Sequence, residues 1–170
     1  MYIESIGFSL WADFIEREYL EGEFKELVNK KIINGATSNP AIFKNAILTS
    51  AAYKEQLSNL SGSAKEKYEA MAITDIQKAA DILKPLYDTG DDGFVSIEVD
   101  PNLCDDAEGT IAEGERLYSR INRENVMIKV PATEAGFKAM EELSSRGIHV
   151  NATLIFSLSD AISCARAFSK

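Results

Sequence analysis

The stretch NVMIKVPAT, Asn125–Thr133, sets one lysine inside an apolar run that ends at a proline. Val, Met and Ile on both sides of Lys129 read as a short buried strand. A buried ammonium without a partner carries a large desolvation cost. Desolvation disfavours the charged form of a lysine, and a neutral lysine is a nucleophile able to form an imine with a carbonyl substrate. A lysine whose stem packs while its head reaches solvent at the strand end produces the same pattern. The stretch alone leaves both readings open.

Outward from this strand, strand-like and helix-like segments alternate along the whole chain, as in successive βα units of a parallel sheet. Strands are expected at Phe8–Asp13, Ile32–Ala36, Phe94–Val99, Val126–Val130 and His149–Ile155. Between them, Tyr68, Ala72, Ile76, Ala79 and Leu83 step by three or four, as do Phe137, Met140 and Leu143. Each such segment has one apolar stripe to lay on a sheet. Thr133 can cap a helix from Glu134, Gly147 suits that helix's C-terminal turn, and Asp105 or Asp106 can cap the helix carrying Ile111, Leu117 and Ile121. The charged stretches EREYLEGEFKE and SAKEKYE read as solvated helix faces.

A strand turns successive side chains to opposite faces. Val95, Ile97 and Val99 then oppose Ser96, Glu98 and Asp100, and Val126, Ile128 and Val130 oppose Met127 and Lys129. Phe8, Leu10 and Ala12 oppose Ser9, Trp11 and Asp13, while Val150, Ala152 and Leu154 oppose Asn151 and Thr153. One face is apolar and suits helices; the other turns polar toward the strand ends. This predicts an α/β fold of the TIM (β/α)8 barrel type, of which about the first five βα units fall in residues 1–170, within a single domain.

Composition bounds the function. The 170 residues are 45% hydrophobic and 26% charged, with a net charge of −9 and no basic stripe. That balance argues against nucleic acid and anionic membrane surfaces, although local cations or backbone N–H groups can bind a phosphate whatever the total charge. No basic segment followed by an apolar core opens the chain, and no apolar run approaches ~18 residues, so a cytoplasmic protein is expected. Cys104 and Cys164 lack metal-ligand spacing and read as reduced thiols. With His149 the sole histidine, neither a common zinc site nor a Ser-His-Asp triad assembles easily. Asn151–Thr153 matches a glycosylation sequon but falls in an expected strand, which discounts it.

The strand ends then offer Asp13, Asn39 of the TSNP turn, Glu98, Lys129, Asn151 and Thr153 to one barrel mouth. These residue types fit an imine mechanism. A lysine attacks a ketone, the carbinolamine loses water with proton transfers, and a base takes a hydroxyl proton as a carbon–carbon bond breaks. Glu98 could work through a water held with Thr153, Asp13 could serve the sugar hydroxyl, and the two asparagines could hydrogen-bond ketose hydroxyls. Each also has an ordinary structural role open to it: Asn39 as a turn former, Thr153 as a β-branched strand residue, Asp13 as a loop-start carboxylate. Their coincidence at strand ends favours the chemical reading.

The chain resembles the transaldolase family over essentially its whole length. SLWADFIERE, NGATSNPAIF, DGFVSIEVDP, ENVMIKVPAT and GIHVNATLIFS occur in the family's order and spacing. The resemblance implies a Schiff-base enzyme on a (β/α)8 barrel, moving a dihydroxyacetone unit from sedoheptulose 7-phosphate to glyceraldehyde 3-phosphate and yielding erythrose 4-phosphate and fructose 6-phosphate. By the same resemblance Lys129 forms the imine, Glu98 and Thr153 handle the catalytic water, Asp13 is the acid and base of cleavage, and Asn39 and Asn151 orient the bound fragment. No metal or organic cofactor is implied, and the partners are small sugar phosphates, with a homodimer possible.

A closed barrel needs eight strands. The family's sixth to eighth strands, with the serine and arginines that bind the substrate phosphate, have no counterpart in residues 1–170. The expectation is an N-terminal part completed by further strands of the same or a second chain. Three rivals stand beside transfer. A related fructose-6-phosphate aldolase that only cleaves is disfavoured because it carries a glutamine where Glu98 stands. The others are a non-catalytic sugar-phosphate binder and an enzyme with pyridoxal phosphate on Lys129.

Overall fold

A computed structural model describes residues 2–169. Strands β1 (Tyr2–Ile3) and β2 (Phe8–Ser9) form an antiparallel hairpin. Strands β3 (Trp11–Ala12), β4 (Gly35–Thr37), β5 (Val95–Glu98), β6 (Val126–Pro131) and β7 (His149–Thr153) form one sheet in chain order. Helices α1 (Arg17–Glu21), α2 (Glu23–Asn29), α3 (Pro40–Thr49), α4 (Lys54–Asn59), α5 (Ala64–Asp88), α6 (Ala107–Ile121), α7 (Glu134–Ser145) and α8 (Leu158–Ala167) lie between and after those strands. Parallel strands joined by helices, each pairing with the next, are the topology of the first five units of a (β/α)8 barrel, as the alternation predicts. The chain divides into two compact units, Met1–Val95 with Arg123–Asn125, and Ser96–Asn122 with Val126–Lys170.

In the first unit, β3 and β4 run parallel with Trp11 opposite Gly35 and Ala12 opposite Ala36. The indole lies on Gly35 so closely that a Cβ there would sit 2.4 Å from Trp11 Cε2, and Trp11 Nε1 donates to Asp92 at 2.5 Å. The expected strand Phe8–Asp13 is not continuous. Phe8 and Ser9 pair back with Tyr2 and Ile3 through a turn at Gly7, whose φ of +60° suits glycine, and Phe8 and Leu10 are exposed instead of facing a core. The second expected strand begins at Gly35, not Ile32. Ile32 N still donates to Leu27 O, and Lys31 takes a positive φ, so Ile32 belongs to the exit of α2 and is exposed.

EREYLEGEFKE becomes α1 and α2, with Leu20 and Phe24 fully buried beneath an otherwise charged surface. SAKEKYE opens α5 through a reciprocal cap between Ser63 and Glu66. Ala72, Ile76, Ala79 and Leu83 are buried as their spacing predicts. Between α3 and α5, Tyr53 packs with Ala46 and Met71.

In the second unit, Val99 N donates to Lys129 O at 3.2 Å, and β6 pairs with β7 from Met127 opposite His149 to Pro131 opposite Thr153. Ile97, Val99, Val126, Ile128 and Val130 are buried, so the apolar faces read from the alternation of β5 and β6 are the packed ones. Asp106 caps α6, accepting from Gly109 N at 2.9 Å, and Thr133 caps α7, accepting from Gly136 N at 2.9 Å. Gly147 turns the chain after α7 at φ +76°. Gly114 lets α6 approach closely; a Cβ there would lie 3.0 Å from Leu143 Cδ1. The fifth expected strand ends at Thr153, not Ile155, because Leu154 adopts φ +59° and breaks the extended backbone. Its alternation closes no core: β7 ends the sheet order, and its residues are all half-buried.

Candidate active site

Lys129 occupies the fourth position of β6, and its side chain leaves the sheet opposite the buried Ile128 and Val130. Glu98, the last residue of β5, leaves opposite Ile97 and Val99. Lys129 Nζ and Glu98 Oε2 lie 3.7 Å apart, with 13% and 14% of their side-chain surfaces exposed. The sequence poses the burial of Lys129 as an uncompensated charge. The structure supplies a carboxylate at ion-pair distance, drawn from the neighbouring strand by a two-residue period that sends both side chains to the polar face.

The β6–β7 register extends this cluster. Asn151 is the partner of Lys129 and Thr153 that of Pro131, so Asn151 leaves the sheet on the lysine's side. Asn151 Nδ2 donates to Ser96 Oγ at 3.1 Å, and Ser96 is completely buried two residues before Glu98. This bond turns the amide so that its nitrogen faces Ser96 and its carbonyl oxygen is directed elsewhere. Ser96 has no role in the sequence reading beyond membership of the polar face. A serine among apolar strand neighbours was the available signal, and only its distance to Asn151 gives it meaning. Thr153 is half-buried, and its carbonyl accepts from Ala132 N at 2.9 Å, which ties the strand end to the loop preceding α7.

Asp13 and Asn39 belong to the first unit. Asp13 directly follows β3 and is exposed. Asn39 is the N-cap of α3: its Oδ1 accepts from Ile42 N at 3.0 Å, and Pro40 takes the first helical position. The amide oxygen is therefore engaged by the helix, and the Asn39 side chain has its nitrogen to offer a ligand.

Among the described residues no group of three or more His, Cys, Asp or Glu side chains could hold a metal ion, and no helix is long and apolar enough to cross a membrane. Cys104 and Cys164 are free thiols, as their spacing suggests; Cys164 is buried, and burial pushes its thiol above the ordinary value.

The model of the Transaldolase/Fructose-6-phosphate aldolase family matches residues 10–170. The chain belongs to this family. It is 55% identical over 164 residues to the transaldolase of Campylobacter jejuni subsp. jejuni serotype O:23/36 (strain 81-176), covering 96% of this chain and 50% of that protein. It is 49% identical over 165 residues to the transaldolase of Helicobacter pylori (strain Shi470), covering 96% of this chain and 52% of that protein. The chain thus spans about half the length of the curated relatives it matches. Lys129, Glu98, Asn151, Thr153, Asp13 and Asn39 all fall inside the span matched by the transaldolase and fructose-6-phosphate aldolase family.

Proposed function

We propose that the complete protein is a transaldolase that carries a dihydroxyacetone unit on Lys129. The observation that carries this reading is the close approach of Lys129 and Glu98, 3.7 Å apart and both largely withdrawn from water, in a chain of this family. Lys129 Nζ adds to the ketone carbon of a ketose phosphate, and the carbinolamine loses its hydroxyl as water to leave the imine. Glu98, with Thr153, moves the protons of that dehydration through a bound water. Asp13 accepts the proton of the sugar hydroxyl as the adjacent carbon–carbon bond breaks, and the electron pair of that bond passes into the imine to give an enamine. An aldose phosphate then accepts the fragment in the reverse sense. Asn39 and Asn151 hold the hydroxyls of the dihydroxyacetone unit, Asn39 through its amide nitrogen.

Sedoheptulose 7-phosphate as donor and glyceraldehyde 3-phosphate as acceptor are the substrates of this reading, in the cytoplasm and within the pentose phosphate pathway. No metal or organic cofactor takes part. The remaining barrel strands come from the same chain or a second one. Apolar Leu154, Ile155, Phe156 and Leu158, exposed beyond the last strand, support a further covering element there.

The test is borohydride reduction of the complete protein with fructose 6-phosphate, followed by mass analysis of the peptide carrying Lys129. A reduced dihydroxyacetone adduct on Lys129, lost in Lys129→Arg, supports the Schiff base; an unmodified lysine rejects it in favour of a binding protein. A second reading, an aldolase that only cleaves, is favoured by the family's joint description and resolved by the same preparation. Cleavage releases free dihydroxyacetone without an acceptor, whereas transfer requires the aldose phosphate.

A further inference from the structure

The sheet-facing stripe of α6 runs Thr110, Gly114, Leu117 and Ile121, all buried, and a carboxylate stands within it: Glu113 is only 9% exposed. An apolar side chain would occupy that position without a desolvation cost. The carboxylate is instead spent on the backbone that leaves β5. Glu113 Oε2 accepts from Asp100 N at 2.8 Å, while Oε1 accepts from Arg116 Nη2 at 3.2 Å. One residue earlier, Val99 N donates to Lys129 O at 3.2 Å. The Asp100 carboxylate accepts from Asn102 N at 3.0 Å and from Asn102 Nδ2 at 2.8 Å, closing the turn that follows. The two residues directly after Glu98 are therefore tied in succession to β6 and to α6.

We propose that Glu113 is a positioning residue for Glu98. By gripping the Asp100 amide it fixes the end of β5, and with it the reach of the Glu98 carboxylate toward Lys129. This rests on the reading of Lys129 as the imine-forming residue. Near-attack geometry is sensitive to displacements of about 1 Å, so a support two residues from a reacting group can matter to the rate without touching substrate. The hydrogen bond to Asp100 N needs an acceptor oxygen at position 113 and not a charge, which separates two substitutions.

Glu113→Gln keeps the acceptor; Glu113→Leu removes it while suiting the apolar stripe. Both are made in the complete protein and followed by urea unfolding, kcat and KM, and the rate at which acetic anhydride labels Lys129, read by mass spectrometry. In Glu113→Leu the expected results are an unfolding midpoint near the parent's, the Asp100 N–H left without its acceptor offsetting the relieved burial of the carboxylate, kcat lower by about tenfold or more with KM unchanged, and a several-fold altered labelling rate at Lys129. Glu113→Gln restores most of kcat and the parent labelling rate. Parent-like kcat and labelling in Glu113→Leu overturn the proposal, as do equal losses in both variants that follow a lowered midpoint. The labelling readout does not require imine chemistry. If the parent shows no borohydride adduct, the Schiff-base reading fails while the labelling rates still decide whether Glu113 holds the Glu98–Lys129 pair.

Discussion

Replacing Arg17 with methionine should cost the complete protein about 3 kcal/mol near neutral pH, the lower end of the range for removing one member of a buried ion pair. Arg17 Nε donates to Asp75 Oδ1 at 3.0 Å, Nη2 donates to Gln56 Oε1 at 2.7 Å, and the guanidinium carbon lies 4.5 Å from the Tyr53 ring centroid. Asp75 is completely buried, Arg17 keeps 17% exposure, and Tyr53 Oη donates to Asp75 Oδ2 at 2.6 Å. Burial pushes the Asp75 carboxyl above its ordinary value; the Tyr53 hydrogen bond and the Arg17 charge pull it partly back. Methionine fills much of the stem's volume but removes that charge, so the folded carboxyl moves further above its unfolded value. A group raised in this way contributes fully below its unfolded value, and the contribution is lost as pH rises through the folded one. The deficit against the parent must therefore grow from about pH 4 to about pH 7. Urea unfolding followed by circular dichroism at both values measures it. Arg17→Met/Asp75→Asn should recover most of the loss, because asparagine still offers Tyr53 an acceptor without a charge to bury. A loss under about 1 kcal/mol near neutrality, or an equal loss at both pH values, refutes the reasoning.

Three other perturbations test the second unit. Gly136→Ala should leave the protein largely insoluble or strongly destabilised, because a Cβ there would fall 1.9 Å from the Pro131 carbonyl oxygen; Gly147→Ala, with no atom within 4 Å, should cost about 1 kcal/mol from its positive φ alone, both judged by thermal unfolding of soluble protein. Thr133→Ala removes the α7 cap and a bond donated to Cys104 O at 2.6 Å, an expected loss of about 1–2 kcal/mol in urea unfolding. In native protein, Cys104 should react with a thiol reagent faster than Cys164, which is buried and whose thiol burial raises; equal rates counted by mass spectrometry would contradict the packing around α8.

Much of the architecture follows from patterns within a few residues of each other. The alternation in VMIKV and VSIEV identifies the packed faces of β6 and β5 and sends Lys129 and Glu98 to the other side, and Thr133, Asp106 and Gly147 mark helix ends by local chemistry. Where that local logic is overruled, a backbone turn is responsible. Gly7 folds Phe8 and Ser9 into a hairpin, and Leu154 at positive φ ends β7 early. Beyond this the chain's own order is silent. That Ser96 orients Asn151, 55 positions away, or that Arg17 reaches Asp75 across 58, depends on register and helix placement acting together. The sequence by itself determined the strand faces, the helix caps and the family motifs, because each arises from periodicity and neighbouring side chains. Only the tertiary structure decided which groups compensate the buried charges of Lys129, Asp75 and Glu113, because a hydrogen bond or ion pair depends on distances of a few ångströms between elements that the sequence keeps far apart.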